Sequence, residues 1–125
     1  GFNVLKDVYK TTVFELCRWR NRQGRVIPER ILAKPPSAEL RSDQKDSDSL
    51  PPYPVLDAIL KGLIERDLDA AALAAEGHDP AVVDRIWRLL EGAEYKRRQA
   101  PPGVKITSRN VSRERRYPIV NGFRG

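Results

Sequence analysis

The residues of this chain best suited to chemistry are lysines and hydroxyls set beside prolines and helix ends. Lys10 falls in the early turns of a helical pattern, within Lys6-Asp-Val-Tyr-Lys10. Lys34 and Ser37 flank Pro35-Pro36. Two prolines hold the backbone extended and lower its entropy, so a hydroxyl and neighbouring amides can meet a phosphate with less ordering cost. Lys96, Arg97 and Arg98 end the last helical pattern, and such a cluster can pair with a carboxylate or a pyrophosphate. By spacing alone, each of these is first a solvated surface charge. The single histidine, His78, lies between Gly77 and an Asp79-Pro80 helix start and has no partner for metal ligation or a Ser/His arrangement. It reads as a surface turn residue. Neither the P-loop pattern nor the dinucleotide fingerprint is present, so these residues alone lack the parts to activate a nucleoside triphosphate.

The elements that must position these residues are mostly helices. From about Asn3 to Gln23, Leu5, Val8, Thr12, Val13, Leu16 and Trp19 recur every three or four residues, the period of an amphipathic helix. Asn3 suits its cap and Gly24 its left-handed terminator. Arg18, Arg20 and Arg22 crowd the last turn, where the helix dipole favours cations. Pro28 predicts a short helix over Pro28–Leu32. Further on, Pro51-Pro52-Tyr53-Pro54 opens the strongest pattern. Val55, Leu56, Ile59, Leu60, Leu63 and Ile64 form its stripe, with Asp57, Lys61 and Glu65 opposite. Asp69 predicts the cap of an alanine-rich helix over Ala70–Glu76, ended by Gly77. Asp79-Pro80 predicts the start of a helix carrying Val82, Val83, Ile86, Leu89, Leu90 and Ala93, running to about Lys96 and stopping before Pro101-Pro102-Gly103. Val104 to Gly125 is basic and weakly patterned, with at most a short strand near Val104–Thr107. The visible chain is therefore expected to be mainly α, each helix burying one face, with any sheet of an α/β parent lying upstream.

Composition narrows the class further. Hydrophobic residues make up 40% and charged residues 32%, which suits a soluble, charge-rich domain rather than a disordered chain. No apolar run approaches the roughly 20 residues that span a bilayer, and no signal-peptide pattern is present. Cys17, the single cysteine, sits among Val13, Leu16 and Trp19 and reads as a buried, inert thiol in a reducing compartment. A cytoplasmic location fits. The net charge of +6 is uneven: residues 93–125 hold nine basic residues against two acids, whereas residues 36–50 hold four acids against two basic residues. A basic end implies an anionic partner, whether nucleotide, nucleic acid or an acidic surface. Methionine is absent and Gly1-Phe2 stands directly ahead of a helical pattern, so the chain is expected to have been cut from something longer.

Motifs in four places, in order along the chain, carry a family resemblance. Lys34-Pro-Pro-Ser-Ala-Glu-Leu-Arg41, followed by Asp43-Gln-Lys-Asp-Ser-Asp-Ser-Leu-Pro-Pro-Tyr-Pro-Val-Leu-Asp57, resembles the mobile loop of bacterial glutamine-dependent NAD synthetases. Long structureless connections, beyond about 12–15 residues, are usually functional or disordered. Gly1-Phe-Asn-Val-Leu-Lys-Asp-Val-Tyr-Lys-Thr11 resembles that family's segment after its nucleotide site. Glu94-Tyr-Lys-Arg-Arg-Gln-Ala-Pro-Pro-Gly103 and Arg116-Tyr-Pro-Ile-Val-Asn-Gly-Phe-Arg124 resemble its C-terminal motifs. The likeness covers nearly the whole chain. It implies the C-terminal, helical portion of an α/β, adenine-nucleotide-hydrolase-like (Rossmann-like) synthetase domain over residues 1–125. Within it a mobile loop is expected at about residues 36–50 and a basic tail at about 104–125.

The resemblance implies a ligase that adenylates the nicotinate carboxylate of deamido-NAD with Mg-ATP. Ammonia, released from glutamine by a separate N-terminal amidase domain, then displaces AMP to give NAD. By position it implies that Lys10 and Ser37 contact ATP and that Lys96 faces deamido-NAD. Tyr95 stands beside Lys96, where ammonia-dependent relatives place histidine. Lys34, Asp46 and Asp48 belong to the mobile loop. No catalytic residue and no metal ligand is carried over. The family's Ser-Gly-Gly-x-Asp-Ser pyrophosphatase loop, its magnesium-binding acids and its amidase residues have no counterpart here, so the isolated chain is expected to be inactive. ATP and Mg2+ are expected in the complete enzyme and none bound to these residues alone. The expected partners are deamido-NAD and ATP as substrates, the rest of the synthetase with its amidase domain, and further copies in a homo-oligomer. Nucleic acid and membrane are not expected. The alternative is a small basic helical module binding nucleic acid or another anionic partner, through Arg109, Arg113, Arg115 and Arg116 interleaved with Tyr117.

Overall fold

Prolines, caps and apolar spacing produce six helices among the residues that the computed structural model describes, which are 1–34, 50–110, 114 and 116–120. They are α1 (Lys10–Arg22), α2 (Glu29–Ala33), α3 (Tyr53–Ile64), α4 (Ala70–Ala75), α5 (Pro80–Gly92) and α6 (Glu94–Gln99). No strand occurs among the described residues, in keeping with the expected helical portion of a larger α/β domain. Nor, among them, is any helix long and apolar enough to cross a membrane. The expected mobile loop lies outside the described residues apart from Leu50, as do Arg113 and Arg115 of the basic tail. The chain falls into two compact units. One is Tyr9–Asp57; the other joins Gly1–Val8 to Ala58–Gly125.

In the Tyr9–Asp57 unit, α1 starts at Lys10 rather than near Asn3, because Tyr9 is extended with ψ 152°. No side chain of its own caps α1. Instead the Asp57 carboxylate accepts from the Thr11 amide at 2.8 Å. A carboxylate at a helix N-terminus satisfies an orphan amide and favours the dipole together. That duty explains why Asp57, expected on the polar side of α3, is only 4% exposed. At the other end Gly24 takes φ +124°, the positive φ that its predicted role as terminator requires. Asn21 then folds the chain back, accepting from the Val26 and Ile27 amides and donating to the Ile27 carbonyl. The expectation that α1 buries one face is not met within this unit. Leu16 and Trp19 are 46% and 50% exposed. Cys17 in that stripe is half-buried, not buried as predicted.

The other unit holds the core. Ile59, Leu63 and Ile64 of α3, Leu73 of α4, and Val83, Ile86 and Leu90 of α5 are its buried apolar residues. The predicted caps are in place: Asp69 accepts from the Ala72 amide and Asp79 from the Ala81 amide, each at 2.8 Å. Gly77 ends the α4 turn with φ +95°. One predicted helix is divided. At Ala93 the backbone leaves helical values (ψ 4°), next to Gly92, a weak helix former, so α5 and α6 are separate.

A clasp joins the two stretches of this unit. The predicted strand near Val104–Thr107 does not form, because its donors go elsewhere. The Ile106 and Thr107 amides donate to the Asp7 carboxylate at 2.7 and 2.8 Å, and the Thr107 hydroxyl joins them. The Asn3 amide donates to the Pro102 carbonyl at 2.8 Å and Lys6 Nζ to the Pro101 carbonyl at 2.8 Å. Residues 3–7 therefore form a turn rather than helix, and Asn3 caps only that turn, through the Leu5 amide. Gly103 sits where the two stretches of the clasp touch. A methyl group there would overlap the Asn3 carbonyl oxygen and come within 2.7 Å of Lys6 Cβ. We expect Gly103→Ala to cost about 1–3 kcal/mol of stability. Hydrogen exchange should show the Ile106 and Thr107 amides losing protection while those of α5 keep theirs.

Candidate functional site

Helix α6 is written with two faces. Glu94, Arg97 and Arg98, at spacings of three and four, share one side, while Tyr95 and Lys96 lie on the other. The Glu94 side chain is 2% exposed. One of its oxygens accepts from Arg98 Nε at 2.8 Å and the other from Arg97 Nη2 at 2.9 Å. Tyr117 adds a backbone hydrogen bond to it. Arg98 also donates to the Tyr117 carbonyl at 3.1 Å. The Arg97 guanidinium lies 5.6 Å from the Tyr117 ring centroid, and that ring meets Trp87 of α5 edge-on at 6.2 Å. Burial works to raise the Glu94 carboxyl, but the hydrogen bonds from Arg98, Tyr117 and Arg97 outweigh it and hold the group below the ordinary carboxylate value. It is an ionised, saturated carboxylate beneath the helix.

The outward face carries the residues expected to bind. Tyr95 and Lys96 are both exposed, with Lys96 Nζ 5.9 Å from the Tyr95 ring centroid. A lysine beside an aromatic face offers a point charge together with a flat apolar surface, a combination that suits an anionic ligand with a ring. In the Tyr9–Asp57 unit, Lys10 is the first residue of α1, exposed, with Nζ 5.8 Å from the Phe14 ring. Phe14 in turn packs at a tilt on Tyr53, centroids 6.5 Å apart. Lys34 follows α2 in extended conformation, ψ 123°, leading toward the two prolines. Ser37, Asp46 and Asp48 lie outside the described residues. The structure thus brings Tyr95 and Lys96 into contact, and it places Lys10 and Lys34 in the other unit.

His78 serves the backbone, its amide donating to the Leu73 carbonyl at 3.2 Å after α4. Among the described residues no three His, Cys, Asp or Glu side chains gather to hold a metal. Reading the sequence overlooked Glu94 as the anchor of α6. The signal was present, since an acid followed at three and four residues by arginines predicts a shared helix face. Its burial against Tyr117 was not written locally.

The sign of the Glu94 shift sets a pH dependence. Because the folded value is depressed, the stabilisation is present above the ordinary carboxylate value and is lost as pH falls through the folded value. Glu94→Gln should cost about 2–4 kcal/mol at neutral pH by leaving two arginines short of their counter-charge. Unfolding midpoints at neutral and acid pH check this: the gap between wild type and variant should shrink on acidification.

Comparison with known proteins follows the same outline. The family described as NAD synthase matches residues 1–100. The chain is 59% identical over 126 residues to the glutamine-dependent NAD(+) synthetase of Acinetobacter baylyi, covering 99% of this chain and 23% of that protein. It is 52% identical to the corresponding synthetase of Rhodobacter capsulatus, covering 99% of this chain and 24% of that protein. Among solved structures it is similar to the glutamine-dependent NAD+ synthetase from Acinetobacter baumannii in complex with adenosine diphosphate. That match has 50% identity and a TM-score of 0.56, and covers 94% of this chain and 20% of the other. The chain spans about a quarter of the length of the curated relatives it matches.

Proposed function

The chain belongs to the NAD synthase family, and we propose that it supplies substrate-contacting helices to an ATP-dependent ligase. That ligase adenylates deamido-NAD and amidates it with glutamine-derived ammonia to form NAD. The observation that carries this reading is the outward pair Tyr95 and Lys96, held on a helix whose opposite face is locked by Glu94. Lys96 brings a compact positive charge to deamido-NAD, and Tyr95 gives it a flat surface. Lys10 meets the phosphates of ATP and Ser37 contacts ATP as well; nucleotide binding by such a ligase is supported by the adenosine diphosphate complex of the Acinetobacter baumannii relative. The work of these residues is to bind and orient, which lowers a barrier by fixing reactants in place. Mg2+ bound with ATP would neutralise phosphate charge. The amidase function and assembly with further copies belong to the same proposal.

The alternative of a nucleic-acid module is not favoured. Of the arginines on which it rests, Arg109 is paired with Asp67 at 3.1 Å, and the neighbouring cations Lys105, Arg97 and Arg98 face Glu114 and Glu94. The curated relatives are NAD(+) synthetases.

Two assays test the proposal. In the full-length protein, Lys96→Ala should raise KM for deamido-NAD about tenfold, the value of one charge-assisted contact, and shift KM for ATP far less. Equal losses toward both substrates would show that Lys96 has another role. The 125 residues alone, given deamido-NAD, ATP, Mg2+ and ammonia, should form no NAD; any turnover would refute the division of labour proposed here.

A further inference from the structure

A cleft of about 700 Å³ opens in the unit formed by Gly1–Val8 and Ala58–Gly125. Among the described residues its walls carry five cations, Lys6, Arg97, Arg98, Lys105 and Arg116, against one carboxylate, Glu114. Neither Tyr95 nor Lys96 lines it. The cations come from three separate stretches: the N-terminal clasp, α6 and the segment after it. Residues on a merely solvated face fan outward from one element, whereas these converge on a single hollow.

Tracing each charge shows what is left to bind. Lys105 is neutralised by Glu114 at 2.6 Å. Arg97 and Arg98 share the single charge of Glu94. Lys6 Nζ reaches only carbonyl oxygens, those of Pro101 at 2.8 Å and Ala100 at 3.4 Å, which orient the ammonium without cancelling its charge. Arg116 is exposed and makes no hydrogen bond or ion pair with another described residue. The cleft thus retains the charge of Lys6, of Arg116 and of one α6 arginine. Small-molecule sites commonly measure about 300–1,000 Å³, so the hollow exceeds what a lone phosphate fills and suits an extended anion. Arginine binds phosphate oxygens in a fork and lysine binds them as a point charge.

We propose that this cleft binds a phosphoanhydride, the linked phosphates of pyrophosphate or of a nucleoside diphosphate, with Arg116 and Lys6 as its principal contacts. This site does not depend on the roles proposed for Lys10 and Lys96. The test uses the full-length protein saturated with a non-hydrolysable ATP analogue. Pyrophosphate, ADP, AMP and inorganic phosphate are each titrated by calorimetry at low ionic strength. Pyrophosphate should bind, and Arg116→Gln should weaken it about tenfold. Glu114→Gln keeps an acceptor for the Asn110 amide but frees Lys105, and should tighten binding about threefold, a gain that a misfolded variant cannot mimic. ADP binding as well as pyrophosphate would identify a nucleoside diphosphate as the ligand. Pyrophosphate binding alone would identify the free diphosphate, and either result supports the site. The proposal is overturned if neither pyrophosphate nor ADP binds, or if binding is unchanged in both variants. It also fails if AMP and phosphate bind as well as pyrophosphate.

Discussion

A carboxylate withdrawn from water costs several kcal/mol unless charged donors saturate it. Glu94 is withdrawn almost completely, and Arg97, Arg98 and the Tyr117 backbone saturate it. The rest of the unit's C-terminal half depends on that arrangement. A six-residue helix such as α6 does not persist in water through its own hydrogen bonds. Here it is held because its inward face closes on the chain that follows, and that chain closes through Tyr117 on Trp87 of α5. Since Glu94, Arg97 and Arg98 occupy one side, helical geometry leaves the other side to Tyr95 and Lys96. The rotation of the helix, and so the direction of the lysine, is set from behind.

Much of this architecture is legible in the sequence where the controlling interaction is local. The caps at Asp69 and Asp79, the turn at Gly77 and the apolar stripes of α3 and α5 each involve residues a few positions apart. Illegible are the partners that distance hides. Asp57 caps a helix whose first turn lies 46 positions earlier, so its place among polar neighbours suggests a solvated face. Asn3–Val8 continues the apolar period of α1, yet Asp7 is engaged with Ile106 and Thr107, about one hundred positions on. The site is legible to a different degree. Lys10, Tyr95 and Lys96 stand out only through the family motif, because an exposed lysine at a helix end looks alike whether it meets a ligand or water.

The basic end of the chain changes meaning once its contacts are known. By composition it is an arm seeking an anion. In the fold, Lys105, Arg97, Arg98 and Arg109 each face a carboxylate of the same unit. The two exposed pairs among these, Lys105–Glu114 and Arg109–Asp67, contribute at most about 1 kcal/mol apiece. The order of the segment after α6 therefore rests chiefly on two carboxylates with several donors each, Glu94 and Asp7, and less on the number of positive charges. Arg97 and Arg98, which hold Glu94, and Lys6, the neighbour of Asp7, line the cleft in which Lys6 and Arg116 stay unneutralised.

The clasp between residues 3–7 and 101–107 has a consequence for how the chain is made. A ribosome delivers Asn3 and Asp7 about one hundred residues before Ile106 and Thr107, the groups that complete their hydrogen bonds. At about 5–20 residues per second, that separation is a wait of about 5–20 s. Meanwhile α3, α4 and α5, whose contacts lie close together in sequence, can assemble as they emerge. The earliest residues of the stretch are thus among the last to find their places. For residues 3–7 alone, birth order and folding order run in opposite directions.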